Sequence, residues 1–332
     1  MSETFRAFRI VEEEGSFTRS IVQREKNELP KGDLLIKVLF SSLNYKDALS
    51  CIGNKGVTRN YPHTPGIDAA GIVEESQTEQ FSAGDEVIVT GYDLGMNTDG
   101  GFGEYIRVPA EWAVKKPPNL PLEESMMFGT AGFTAALSVY KLLLSVNKDA
   151  GEVLVTGGTG GVATIASKIL VKLGYNVVVT TGKADVQKDA LMQLGVQKVL
   201  PREEVEDTEG KPMLKSRWAG VIDTVGGNML ASVLKTTAYN GVVTTCGNVG
   251  GDKFQSYVYP FILRGITLYG VDSVQCPREL RSEIWNLLSD SWKPENLDSM
   301  IKTIGLEALD QEVSEMLQGS HSGRAILKHD HS

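Results

Sequence analysis

The chain has 332 residues, 41% of them apolar and 23% charged, with a net charge of −9. That length exceeds one ordinary core and implies two domains, while the acidic balance disfavours the basic footprint that nucleic acid or an acidic membrane requires. No apolar run approaches membrane-spanning length, and the opening MSETFRAFRIVEEEG carries charges where a signal peptide needs an apolar stretch, so the expectation is a cytoplasmic protein that binds neither membrane nor nucleic acid.

In chain order, FRAFRIV, LLIKVLF, IDAAGIVEE, DEVIVTG and EYIRVPA read as short strands separated by turn signals. Gly84-Asp85 and the 91–103 stretch, with five glycines, are the clearest breakers. Residues 1 to about 120 therefore suit a compact antiparallel barrel or sandwich, ended by Lys-Lys-Pro-Pro at 115–118. Between the second and third strands lies LNYKDAL (43–49), where Asn44, Tyr45, Lys46 and Asp47 put four different polar side chains in a row. Such a run is either a functional loop at a strand end or a solvated helix start.

From residue 121 the rhythm changes. LEESMMFGTAGFTAALSVYKLLL has a long helical pattern, with Gly129 and Gly132 allowing close backbone approach. Strands and helices then alternate through EVLVTG, VATIASKILVKLG, YNVVVTT, ADVQKDALMQLG, QKVLP, AGVIDTVG, NMLASVLKTTAY, GVVTTCG and GITLYGVDS. Six apolar strands interleaved with helices make an α/β unit with a doubly wound parallel sheet. RELRSEIWNLLSD reads as a further helix, and GRAILK as a strand-like return that completes the first domain. The expected division is 1–122 with 276–332, and 123–275.

The strongest local motif is VLVTGGTGGVATIASKIL (153–170), an apolar strand that runs through Gly157-x-x-Gly160-Gly161-x-Ala163 straight into a helix. A phosphate needs backbone N–H groups at close range and the positive end of a helix dipole, and glycines permit that approach. Inside a full strand–helix–strand unit this is a specific signal for a dinucleotide. At the end of the second strand a carboxylate would hold a ribose 2′-OH, but here the strand ends Thr180-Thr181-Gly182-Lys183. Hydroxyls and an ammonium suit a 2′-phosphate, Arg202 after QKVLP adds a second cation, and NADPH is the expected cofactor.

The order of these motifs, with PGIDAAG, GDEV, GGFGEY and GTAGFTAALSV between them, resembles the medium-chain dehydrogenase/reductase superfamily over nearly the whole chain. NYKDAL, PGIDAAG, WAGVIDTVGG, YPFILRG and GVDSV resemble its acryloyl-CoA reductase branch, the YhdH/YhfP-type quinone oxidoreductases. The resemblance implies a GroES-like β-barrel catalytic domain, a six-stranded Rossmann domain, and a homodimer formed at the edge where GITLYGVDS ends the sheet. It places Thr159, Gly160, Gly161 and Val162 at the pyrophosphate, Thr181, Gly182, Lys183 and Arg202 at the adenosine phosphate, and Asn248, Ile262 and Ser273 on the nicotinamide side.

Zinc alcohol dehydrogenases of the same superfamily bind their catalytic metal at positions that here match Asn44, Ile67 and the neighbourhood of Met127. A catalytic zinc needs three protein ligands and Ile67 cannot be one, so the expectation is a metal-free protein. Without a Lewis acid, reduction of a conjugated enone or enoyl thioester is easier than alcohol chemistry, because hydrogen-bond donors can hold the enolate oxygen. By resemblance Tyr45 lies beside the nicotinamide and is the best proton donor; Asn44 offers an amide hydrogen bond to cofactor or substrate; Asp47 orients its neighbours rather than titrating. NADPH-dependent quinone reduction is the enzymatic rival, and an NADPH-binding regulatory or RNA-binding role the non-enzymatic one.

Other polar residues have plainer readings. His63 in YPHTPG reads as a loop residue making local hydrogen bonds, and Asp68 in PGID as a capping or turn residue. The HDH at 329–331 reads as an incidental terminus. Glu12–Glu14 and the acidic run at 203–209 read as solvated faces, and Cys51, Cys246 and Cys276, far apart with no CxxC, as reduced packed thiols.

Overall fold

The computed structural model describes residues 4–297, 301–320 and 323–331. The chain forms two compact units: Met1–Thr130 with Val274–Ser289 and Glu295–Ser332, and Ala131–Ser273 with Asp290–Pro294. The division thus falls at 130/131, inside a helix, where the sequence suggested 122/123, and a short stretch after residue 289 joins the second unit.

In the first unit, β1 (Thr4–Glu13) and β2 (Ser16–Glu25) form an antiparallel hairpin closed by Glu14 and Gly15, both at positive φ. Strands β3 (Leu34–Ser42), β4 (Asp68–Ser76), β5 (Glu86–Thr90), β6 (Tyr105–Val108) and β7 (Ala113–Lys115) build a largely antiparallel sheet. With the late strands β14 (Ile301–Ile304) and β15 (Arg324–Lys328) its order is β14-β15-β3-β4-β5-β7, and β6 pairs with β3. The return seen in GRAILK is thus β15, antiparallel to β3. Side chains of β3 alternate as a strand requires: Leu34, Ile36 and Val38 enter one core with Val73, Val87 and Ile106, while Leu35 packs with Phe5 and Ala7.

A 22-residue helix, α2 (Leu122–Leu143), leaves helical geometry at Gly129 (φ 51°, ψ −155°). By length and composition it could cross a membrane, contrary to the expectation that no apolar run is long enough, but 72% of its apolar window is buried within the protein. It is a core helix that reads as apolar because it is covered.

In the second unit, β8 (Glu152–Thr156), β9 (Asn176–Thr181), β10 (Lys198–Pro201), β11 (Trp218–Asp223), β12 (Thr237–Thr245) and β13 (Thr267–Gly270) form a six-stranded sheet in the order β10-β9-β8-β11-β12-β13. Every pairing is parallel. Its central strands are near-continuous apolar runs because both faces are covered: Leu154, Val178, Val221 and Val243 are fully buried with Met229, Val233 and Leu234. The connecting helices are α3 (Gly161–Lys172), α4 (Ala184–Met192), α5 (Gly227–Thr236) and α6 (Tyr259–Arg264). Helix α5 stops three residues before the helical pattern in NMLASVLKTTAY does. Thr237 there turns extended, its hydroxyl donates to the Val233 carbonyl at 2.7 Å, and Arg264 donates to the Lys235 and Thr237 carbonyls.

Candidate active site

The four polar residues after β3 open a short helix, α1 (Tyr45–Ser50). Asn44 is its N-cap in extended conformation, as the residue type favours, and Asp47 at the third position accepts the Asn44 backbone N–H at 2.8 Å. The other Asp47 oxygen accepts the backbone N–H groups of Gly66 and Ile67 at 3.0 and 2.9 Å. The Asp47 carboxyl is fully buried; burial pushes its pKa up from 3.8 to about 7, with nearby Asp68 adding to the rise and the three N–H donors opposing it, so the expectation that it orients its neighbours without titrating is corrected.

Asp68, also fully buried, starts β4 and accepts four hydrogen bonds. Ser42 Oγ (2.5 Å), Asn44 Nδ2 (2.8 Å) and the Thr130 N–H (2.9 Å) reach one oxygen, and Thr130 Oγ1 (2.5 Å) the other. Asn44 Nδ2 also donates to the Ser42 carbonyl at 3.1 Å. Both amide hydrogens of Asn44 are therefore committed inside the protein, which corrects the expectation that they serve cofactor or substrate. Tyr45, at the first position of α1, is 55% exposed.

One residue of this cluster escaped the sequence reading, and Gly129, read there as a site of close backbone approach, instead admits side chains. Arg324 on β15 is buried beside the carboxylates, its pKa lowered by burial and supported by Asp68 and Asp47. Gly129 makes room for the cluster: a Cβ there would stand 2.5 Å from Asp68 Oδ2 and 2.9 Å from Arg324 Nη2.

The zinc positions do not fit a metal. Asn44 is an N-cap amide, Ile67 a buried alkyl side chain and Met127 a buried thioether, a donor set that cannot supply three ligands to zinc. Among the described residues no group of three or more His, Cys, Asp or Glu side chains is placed to hold a metal.

In the second unit the dinucleotide motif occupies its expected place. Gly157 has φ +67° and a Cβ would stand 2.5 Å from Thr224 Oγ1; Gly160 caps α3; Ala163 is fully buried against the sheet. Gly158, not singled out by the motif, is the tightest point, since a Cβ would overlap Val179. Thr159 and Gly160 are exposed and Gly161 and Val162 half-buried at the start of α3, where free N–H groups and the helix dipole favour an anion. At the neighbouring strand ends, the Thr181 hydroxyl accepts the Lys183 N–H at 3.1 Å, Lys183 is exposed, and the Arg202 guanidinium lies against Gly182. These residues fit a dinucleotide bearing a 2′-phosphate.

Because all six strands run the same way, their C-terminal ends share one edge of the sheet. Asn248 follows β12, exposed, and Ser273 follows β13, half-buried with its hydroxyl 2.8 Å from that of Thr134. Ile262 sits instead on α6, 68% exposed and not at a strand end. The sequence reading also missed Asp223, fully buried at the end of β11. It accepts from Thr156 Oγ1 (2.8 Å), Thr245 Oγ1 (3.1 Å) and the Gly226 N–H (3.0 Å), tying the ends of β8, β11 and β12 together, and burial raises its pKa.

His63 is buried, and its ring bonds the Gly95 carbonyl at 2.9 Å, a partner far off in sequence rather than local. His329 and His331 are not incidental: their rings bond the Gly101 and Val38 carbonyls at 2.9 and 2.7 Å, and burial pushes His329 down to about 4. Within the 203–209 run, Asp207 departs from the solvated reading through an ion pair with Lys235 at 2.8 Å, both side chains 5% exposed. Cys51 and Cys276 are buried, and burial pushes Cys246 up to about 12.

Residues 30–118 match the alcohol dehydrogenase GroES-like domain and residues 161–290 the zinc-binding dehydrogenase domain. YhfP of Bacillus subtilis, which carries a quinone oxidoreductase name, is 43% identical over 330 residues, 99% of this chain and 100% of that one. Its crystal structure with NAD bound superposes with a TM-score of 0.96, covering 98% and 100% of the two chains. The acrylyl-CoA reductase AcuI of Ruegeria pomeroyi is 39% identical over 318 residues, 95% of this chain and 96% of that one. The YhdH oxidoreductase of Salmonella enterica in complex with NADP has a TM-score of 0.93 at 39% identity, covering 97% and 99%.

Proposed function

The chain belongs to the YhdH/YhfP-type branch of the medium-chain dehydrogenase/reductase superfamily, which includes the acrylyl-CoA reductases, and from that premise we propose that it is an NADPH-dependent reductase of activated C=C bonds. The substrate class is a 2-enoyl thioester such as acryloyl-CoA, or an enone. The observation that carries this is the donor set at positions 44, 67 and 127, which cannot take zinc, in a chain that matches an acrylyl-CoA reductase over 95% of its length. The NADP-bound relative supports the cofactor, together with the Thr181, Lys183 and Arg202 surroundings.

The chemistry that NADPH brings to such a site is hydride donation to the β-carbon of the conjugated bond. The chain's own residues have three tasks. The N–H groups of residues 159–162 would hold the pyrophosphate at the start of α3, and Thr181, Lys183 and Arg202 would hold the 2′-phosphate. A donor must meet the enolate oxygen or return a proton to the α-carbon. Asn44 has no amide hydrogen left for it, whereas the exposed Tyr45 offers a phenolic O–H. Asp47, held by three backbone N–H groups, orients the turn.

An anaerobic assay with NADPH and acryloyl-CoA tests the reading. Turnover is expected, and its absence alongside rapid quinone reduction would move the assignment to an NADPH:quinone oxidoreductase, as the YhfP name suggests. The net charge of −9 weighs against the RNA-binding alternative, which retention of RNA on a filter at moderate salt would revive. A homodimer is supported by the open edge at β13 and by exposed Val258, Tyr259, Ile262 and Leu263 beside it; a monomer in sedimentation would remove it. Cytoplasmic residence is supported by three free thiols, and recovery of the native protein in a secreted fraction would contradict it.

A further inference from the structure

We propose that Asp68 is a positioning residue for Tyr45: together with Asp47 it laces the turn that carries the phenol onto the start of β4. This rests on the reading of Tyr45 as an active-site donor and goes beyond it by naming what aims that donor.

The two carboxylates cross. Asp47 reaches from α1 to the Gly66 and Ile67 N–H groups at 3.0 and 2.9 Å, immediately before β4. Asp68 reaches back from the first residue of β4 to the Asn44 side chain at 2.8 Å, immediately before α1. Each segment is thus held by an acid from the other.

Helix α1 needs such ties. Six residues are too few for a helix to hold its own direction. Its buried face is fixed by Ala48 and Cys51 in the core, but Tyr45 stands at the opposite, exposed end. The direction of the phenol is therefore set by the Asn44 backbone, and Asn44 is held at its N–H by Asp47 and at its side chain by Asp68.

Stability alone does not account for this arrangement. A buried ionic network is often no more stable than an apolar one of the same volume. Here Ser42, Asn44 and Thr130 all donate to Asp68, buried Arg324 stands nearby, and Gly129 takes up a conformation at positive φ that leaves room for them. Such a network defines one geometry, and the geometry it defines is that of the residue preceding Tyr45.

The test is a double-mutant cycle of Asp68→Asn with Tyr45→Phe, run on whichever acceptor the wild-type enzyme reduces, so a failed acryloyl-CoA assay does not decide it. Asp68→Asn should lower kcat about 10- to 100-fold while the KM for NADPH stays within about 2-fold. In the Tyr45→Phe background the same change should cost less than about 3-fold, because both act through one group. Thr130→Val, which takes one donor from Asp68 and keeps the charge, should show the same split and coupling at smaller size, and it keeps the proposal open to refutation if Asp68→Asn fails to fold. Fully additive losses, or a raised KM with kcat unchanged, would overturn the proposal. Tyr45→Phe with unchanged kcat would also overturn it while leaving the reductase reading in place.

Discussion

Asp47→Asn offers a direct measurement of the buried charge beneath α1. The wild-type carboxyl, held up from 3.8 to about 7 by burial, binds its proton more tightly in the folded protein than in the unfolded chain. Its contribution to stability is therefore fully present below about pH 4 and is lost as the pH rises through about 7. At about 1.4 kcal/mol per pH unit, the interval from pH 5 to pH 8.5 removes about 3 kcal/mol from the wild type. The variant has no proton to lose, and its lost acceptor costs the same at every pH. Relative to wild type it should therefore gain about 3 kcal/mol between those limits. Because two compact units need not unfold together, the readout is hydrogen exchange of a peptide spanning residues 43–51 under increasing urea. A difference between the two proteins that stays flat from pH 5 to pH 8.5 would refute the reasoning. It would mean that the N–H groups of Asn44, Gly66 and Ile67 hold the carboxylate ionised against burial.

On the proposed reading Arg202→Ala would remove a charge-assisted contact worth about 1.5–3 kcal/mol, so the KM for NADPH should rise about 10- to 100-fold with that for NADH unchanged; equal losses for both would show that Arg202 does not meet the 2′-phosphate. Gly129→Ala places a Cβ 2.5 Å from Asp68 Oδ2 in a backbone conformation that glycine alone adopts readily. It should cost about 3 kcal/mol and lower the melting temperature of its unit by roughly 6–12 °C; an unchanged transition in differential scanning calorimetry would show that the kink relaxes freely.

The second unit was largely legible in the sequence because each of its elements states its own period. EVLVTG and YNVVVTT are apolar runs too short for helices, and the glycines between strand and helix have one common use. The first unit was less so. SFTRSIVQRE, which forms β2, has its mostly exposed side chains beyond a Glu-Gly turn and lacks the apolar run that marked β1. LNYKDAL left a loop and a helix start equally open, because the six residues of its helix are too few for a 3.6-residue period to decide. The apolar length of α2 was hidden by the polar residues at its ends and the glycines within it, and burial rather than a bilayer covers it.

At the site, residue types could be read but not their partners. Asn44 in a polar run looks like a free donor until the structure supplies Asp68 and the Ser42 carbonyl to take both its hydrogens. Asp68 itself sits in a motif whose obvious message was the isoleucine before it, so the acid passed for a turn residue. The sequence signal that could have found it was the pair of acids at 47 and 68, each just after a position that matches a zinc ligand, with a glycine in the middle of an otherwise strong helix at 129. A helix carries such a glycine at a cost, and here the cost is offset by what the missing side chain leaves room for: a carboxylate with four donors. Two features of this turn therefore carry different messages. A donor set that cannot take zinc narrows the chemistry to acceptors already polarised by conjugation. The crossed aspartates join the segment at 44–47 to the one at 66–68. Only the first can be inferred from the absent ligand; the second requires knowing which backbone N–H groups lie within reach of each acid.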